Sequence, residues 1–121
     1  MILARLPGAA DQEAKLLVVL SHQQGHAITI KATTQVDLYL NNAEAMAGVV
    51  LYEPGDTCFR VRTAIQPDNW FAVEHRNIRA EDLIGHLPND FHERLVTAIR
   101  ASVRLTGKQR AKLLTMIGEE T

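Results

Sequence analysis

Residues 10–25, ADQEAKLLVVLSHQQG, decide how the rest of the chain is read. As a helix they would stand ahead of a separate sheet; as a strand they would belong to it. Asp11 can cap a first helical turn, and Glu13 lies where the positive end of a helix favours a carboxylate. Gly25 supplies a left-handed stop just past the last turn. The run Leu16 to Leu20 would also suit a buried strand. The capping pattern predicts a helix. His22 and His26 are four residues apart, and they share a helix face only if the helix continues past Gly25. A zinc site also needs further ligands, and Glu74, His75, His86 and His92 form no spacing motif with them. No metal is expected, and no cofactor.

Downstream the pattern changes. In residues 27–33 (AITIKAT) and 35–40 (QVDLYL), apolar and polar residues alternate, which predicts strands with Ile28 and Ile30, then Val36, Leu38 and Leu40, on one face each. Residues 48–65, GVVLYEPGDTCFRVRTAI, carry two β-rich runs around Pro54-Gly55-Asp56, a hairpin signal. Phe59, Val61 and Thr63 would face one way there, with Cys58, Arg60 and Arg62 on the other side. After a turn at QPDN (residues 66–69), WFAVEH reads as another strand.

From about Arg79 the period becomes helical. AEDLIGHL (residues 80–87) reads as a short helix stopped by Pro88. In residues 89–105, Asn89 can cap a helix whose stripe is Phe91, Leu95, Ile99 and Val103. Thr106 and Gln109 have capping-box spacing ahead of a last helix bearing Leu113, Leu114 and Ile117. The expected fold is α+β: an N-terminal helix, an antiparallel β-meander of about four to five strands, and a helical C-terminus, in one domain over residues 1–121. The C-terminal stripes offer more apolar surface than such a sheet covers. A homodimer built on Phe91, Leu95, Ile99, Leu113, Leu114 and Ile117 is therefore expected.

Composition narrows the functional classes. Thirteen Lys and Arg stand against fourteen Asp and Glu, whereas a dedicated polyanion binder needs a clear basic excess. Hydrophobic residues make up 46%, enough for a core that needs no disulfide or metal. Cys58 is the only cysteine, which fits a reducing compartment. The opening residues have neither the basic region nor the apolar run of a signal peptide, and no apolar stretch approaches the ~20 residues that span a bilayer. A cytoplasmic protein with no membrane contact is expected.

The catalytic candidates each have a plainer reading. Arg60 and Arg62 beside Cys58 would favour its thiolate, yet no local signature supplies an orienting base. Asp90 and Glu93 sit where a helix dipole already favours acids. No glycine-rich phosphate loop or serine elbow occurs. The residues predict that the protein is not an enzyme.

Charge distribution says more than its sum. Arg94, Arg100, Arg104, Lys108, Arg110 and Lys112 fall in one stretch without an acidic residue. Residues 105–117, LTGKQRAKLLTMI, resemble the opening helix of helix-turn-helix modules, although the residues up to Thr121 leave no room for a recognition helix. A second basic group, Arg60, Arg62, Arg76 and Arg79, is expected on an exposed sheet face with Trp70 nearby. Arg with an aromatic ring suits a protein hot spot, and 5% aromatic content is too little for a platform of stacked bases. In layout the chain is similar to small bacterial secretion chaperones and phage-encoded inhibitors. That resemblance implies a non-enzymatic adaptor, chaperone or inhibitor that occupies a protein partner through Arg60, Arg62, Trp70, Arg76 and Arg79. The alternative is a small nucleic-acid-binding transcriptional regulator using Arg100, Arg104, Lys108, Arg110 and Lys112.

Overall fold

Leu16–Leu20 are strand residues. In the computed structural model, which describes residues 1–6, 15–55 and 58–119, strand β2 runs Lys15–Gln23, so the predicted N-terminal helix is corrected. The physical reason is that this run is buried on both sides. Val18 belongs to the main core, with Leu16 and Leu20 packed against it, while Leu17 and Val19 belong to a second cluster. A helix with one apolar stripe cannot bury five consecutive side chains, whereas a strand covered on both faces does so by alternation. The expected cap at Asp11 lies outside the described residues. Gly25 is left-handed as expected, but as part of a tight turn. Gln24 has φ +43° and Gly25 φ +84°, both positive, as a hairpin turn whose twist matches its strands requires.

That turn leads into β3 (His26–Thr33). With β1 (Ile2–Leu6), β4 (Val50–Tyr52), β5 (Thr63–Glu74) and β6 (Leu83–His86), the strands form one six-stranded sheet in the order β4-β5-β3-β2-β1-β6. Every neighbouring pair is antiparallel, and the sheet curves into a half-barrel. The expected meander of four to five strands is thus also corrected. Besides β2, the strands absent from the sequence reading are β1 and β6.

Several local expectations fail for the same kind of reason. Residues 35–40 do not alternate as a strand. Val36 and Tyr39, three apart, are buried, while Leu38 is 81% exposed, and α1 (Asp37–Leu40) forms. A second short helix, α2 (Ala43–Ala47), follows, with the Asn42 side chain accepting the Ala45 N–H. β4 and β5 do pair, but the connection is longer than Pro54-Gly55-Asp56, and Asp56 lies outside the described residues. Residues 67–69 bulge out within β5, because Lys31 pairs with Gln66 and Ile30 with Trp70. Only Ala80–Asp82 of the expected helix over 80–87 makes a helical turn, a 3-10 one. The rest is β6, laid along β1.

The C-terminal helices α3 (Phe91–Ala101) and α4 (Gly107–Met116) both form, although α3 starts after Asp90 rather than Asn89 and stops at Ala101, short of the expected Leu105. Thr106 and Gln109 make the reciprocal capping box, at 3.1 and 2.9 Å. Their stripes face inward: Phe91, Leu95, Ile99, Leu113 and Leu114 share one core with Leu3, Val18, Ile30 and Ile65. All five are at most 3% exposed, so the dimer interface expected from them is corrected. The half-barrel already covers that surface, and only Ile117 stays partly open. Val103, beyond the end of α3, is 63% exposed and belongs to no stripe. Among the described residues, no helix is long and apolar enough to cross a membrane.

Candidate functional site

The structure sorts the basic residues by what they touch. Arg110 is turned inward: its guanidinium donates to the carbonyls of Ile99 (3.1 Å), Ser102 (2.8 Å) and Leu105 (3.3 Å). It bonds carbonyls at and just beyond the end of α3. Arg94 donates to the Leu51 carbonyl at 2.7 Å and lies 4.4 Å from the centre of the Tyr52 ring. Arg104 approaches Asp68 at 3.6 Å, and the Lys112 ammonium sits 5.2 Å from the Trp70 ring centre. The C-terminal basic run is therefore not one free face. Of the other residues assigned to it, Arg100 and Lys108 are exposed.

The group Arg60, Arg62, Trp70, Arg76 and Arg79 is likewise divided. Arg62 pairs with Glu53 at 2.8 Å, Arg76 with Glu74, and Arg79 with Glu81 at 3.5 Å. Trp70 packs against the main core. Arg60 has no ion pair among the described residues, and neither does Arg5. These two converge on one cavity of about 250 Å³, which Thr34, Cys58, Thr63 and Ile84 also line.

The fold holds this cavity from several sides. On β1, Arg5 shares the face of Leu3 by strand alternation and lies opposite Leu16. Thr34 follows directly on β3, and Thr63 opens β5. Arg60 lies on the β4–β5 connection, which is fastened on both sides of it. Before it, Phe59 is 3% exposed and stacks on Tyr52 with ring centres 5.1 Å apart. After it comes the Arg62–Glu53 pair. The Tyr52 hydroxyl donates to Asp90 at 2.8 Å, joining the connection to the start of α3. Burial, then the Asp90 carboxylate, push the Tyr52 pKa up to about 12, so the phenol stays protonated and structural. Burial also pushes the Cys58 thiol up, against the thiolate that neighbouring arginines would have favoured. Cys58 is a neutral wall of the cavity. Arg5, Thr34 and Thr63 were not read from the sequence as site residues.

The histidines meet a different fate from the one asked of them. His22 and His26 lie on neighbouring strands of a hairpin, and His22 contacts His75, Nδ1 to Nε2, at 2.6 Å. Among the described residues, no three His, Cys, Asp or Glu gather into a group that could hold a metal ion.

A half-barrel sheet with helices at its C-terminal end is a fold seen in solved structures. No protein-family model matches the sequence, and no curated protein matches it. The Mycobacterium tuberculosis toxin MazF-mt6 superposes with a TM-score of 0.61 at 15% identity, over 84% of this chain and 95% of that one. An endoribonuclease in complex with its cognate antitoxin, from a mycobacterial species, gives 0.62 at 13% identity, over 87% and 93%. Identities this low establish a shared fold. They overturn the expectation of a non-enzymatic adaptor, chaperone or inhibitor. That expectation rested on a helix–meander–helices layout which the chain does not have, and the fold it does have carries an endoribonuclease. The inhibitor and chaperone likenesses fall with the layout.

Proposed function

We propose that the chain is a ribonuclease that cuts single-stranded RNA in the cavity between Arg5 and Arg60. One observation carries this reading. Two guanidinium groups, without ion pairs among the described residues, share a concave site with the Thr34 hydroxyl, on a fold that a solved endoribonuclease also has. In RNA the nucleophile belongs to the substrate. The 2′-oxygen attacks the adjacent phosphorus, the bond to the 5′-oxygen breaks, and the proton lost by the first ends on the second. A 2′,3′-cyclic phosphate and a free 5′-hydroxyl result. Negative charge accumulates on the non-bridging oxygens, and Arg5 and Arg60 are placed to donate hydrogen bonds to them as it grows. Thr34 supplies a hydroxyl that orients the phosphate.

The near-zero net charge does not oppose this reading, because a substrate phosphate meets the local field of the cavity rather than the sum over the chain. The proposal treats residues 1–121 as one domain, acting in a cytoplasm. It also includes a protein partner, since one neighbour was solved with its cognate antitoxin. Self-association would have to use surfaces other than the buried C-terminal stripes. The test is incubation of purified protein with end-labelled single-stranded RNA of mixed sequence. Fragments ending in a 2′,3′-cyclic phosphate are expected from the wild type and not from Arg60→Gln. Intact RNA with the wild type, or equal cutting by both proteins, overturns the reading.

A further inference from the structure

The outer face of the sheet holds a second cavity, of about 290 Å³, lined by Lys15, Leu16, Lys31, Asn69 and Phe71. Leu16 lines the Arg5–Arg60 cavity as well, so this one residue at the start of β2 borders both. The placement of the lysines follows from register. Leu17 pairs with Lys31 and Leu6 with Lys15. Lys15 and Leu17, two apart on one strand, project to the same side, so Lys15 and Lys31 are diagonal neighbours on the outer face. Both are exposed, and neither has a hydrogen bond or ion pair among the described residues. Like charges on paired strands repel, and among the described residues no carboxylate relieves this pair. Beside them Phe71 is half-buried against the outer cluster, its backbone held where its carbonyl accepts the Thr29 hydroxyl at 3.0 Å. The β5 bulge brings Asn69 next to them.

We propose that this cavity is a subsite for a nucleotide farther along the strand, beyond the reach of a trinucleotide seated at the cut: Lys15 and Lys31 bracket its phosphate, and its base stacks on Phe71. Two ammonium groups beside an aromatic ring are what a single strand meets where it is bound without regard to sequence. Asn69 adds an amide that can hydrogen-bond a base edge. The inference rests on the ribonuclease reading, because it takes the strand to continue from the Arg5–Arg60 cavity past Leu16. It goes beyond that reading by assigning a separate site on the other face of the sheet.

The test uses fluorescein-labelled 2′-O-methyl RNA, which cannot be cut by its own 2′-oxygen, as a trinucleotide and as a dodecanucleotide. Anisotropy titrations compare the wild type, the Lys15→Gln/Lys31→Gln double variant, Phe71→Leu and Arg60→Gln. The double variant should bind the dodecanucleotide about tenfold or more weakly, with a salt slope shallower by about 0.7 for each phosphate it no longer neutralises. Its affinity for the trinucleotide should be unchanged. Phe71→Leu should lose about tenfold, a fold-change typical of one stacked base. Since Phe71 is half-buried, its melting temperature is recorded alongside; the lysine changes are at exposed positions and decide the matter without it. Arg60→Gln should weaken both oligonucleotides. Wild-type binding that the double variant retains in full overturns the subsite and leaves the ribonuclease reading standing. No RNA binding by the wild type overturns both. Lysine-dependent binding of poly-glutamate together with unaltered RNA binding assigns the surface to an acidic protein partner and overturns the subsite.

Discussion

The C-terminal basic run, residues 94–112, and the pair Arg5 and Arg60 have opposite histories. The run is dense in sequence and largely committed in space: Arg94 and Arg110 bond backbone carbonyls, Arg104 meets Asp68, and Lys112 lies over Trp70. Arg5 and Arg60 are far apart in sequence, and the fold brings them to one cavity without ion pairs among the described residues. Charge density along a chain therefore does not rank its cations for function. What ranks them is whether the protein has already used their donors. A guanidinium that satisfies three carbonyls has little left to offer a phosphate, and withdrawing it from them leaves polar groups unpaired.

The comparison breaks or sharpens under a short series of substitutions. The largest effect belongs to the cavity. Arg60→Gln, and separately Arg5→Gln, should lower kcat/KM for RNA cleavage by about 10²–10³-fold, the usual cost of removing one preorganised donor from a developing charge. Neither change should move the melting temperature, because both groups are exposed. A loss of activity that merely tracks a loss of folded protein would put these arginines in the structural class after all. Arg110→Ala should do the reverse. Stability in urea should fall by about 1–3 kcal/mol as the carbonyls at the end of α3 lose their donor, and cleavage per folded molecule should stay near wild type.

Tyr52 joins the two regions through Asp90 and Phe59, and its protonation gives a pH signature. Its folded pKa, about 12 against an ordinary 10.0, is raised, so the folded state keeps a proton that the unfolded chain gives up first. The stabilisation is fully present below pH 10 and is lost as pH rises toward 12. Denaturation midpoints should fall across that window, and Tyr52→Phe should flatten the fall. An unchanged slope in the variant would show that another group governs it. The smallest effect is expected at Lys108, exposed on α4. Lys108→Gln should change stability by no more than about 0.5 kcal/mol and leave cleavage unaltered. If it cost more activity than Arg60→Gln, the C-terminal run rather than the cavity would be the RNA surface.

Some of this molecule is legible one residue at a time. The capping box of α4 is a pair of hydrogen bonds three residues apart, the stripe Phe91, Leu95, Ile99 repeats with the helical turn, and the left-handed Gly25 needs no partner from elsewhere. Local chemistry decides such features, so the sequence by itself determined two C-terminal helices, the left-handed conformation of Gly25 and the strand that follows it. Leu16–Leu20 is a different case. Capping residues and a terminal glycine favoured a helix, and only a second core on the far side of the sheet made a strand the better burial. β6 depends in the same way on β1, which it needs as a partner before its exposed apolar residues become a strand edge. The candidate site was less legible still. Arg5, Thr34 and Arg60 come from three separated segments, and nothing within any of them records that the other two will arrive. Tertiary structure decided which cations were consumed by carbonyls and carboxylates and which were left facing a cavity, because a donor's availability depends on all its neighbours in space, and a sequence specifies only those along the chain.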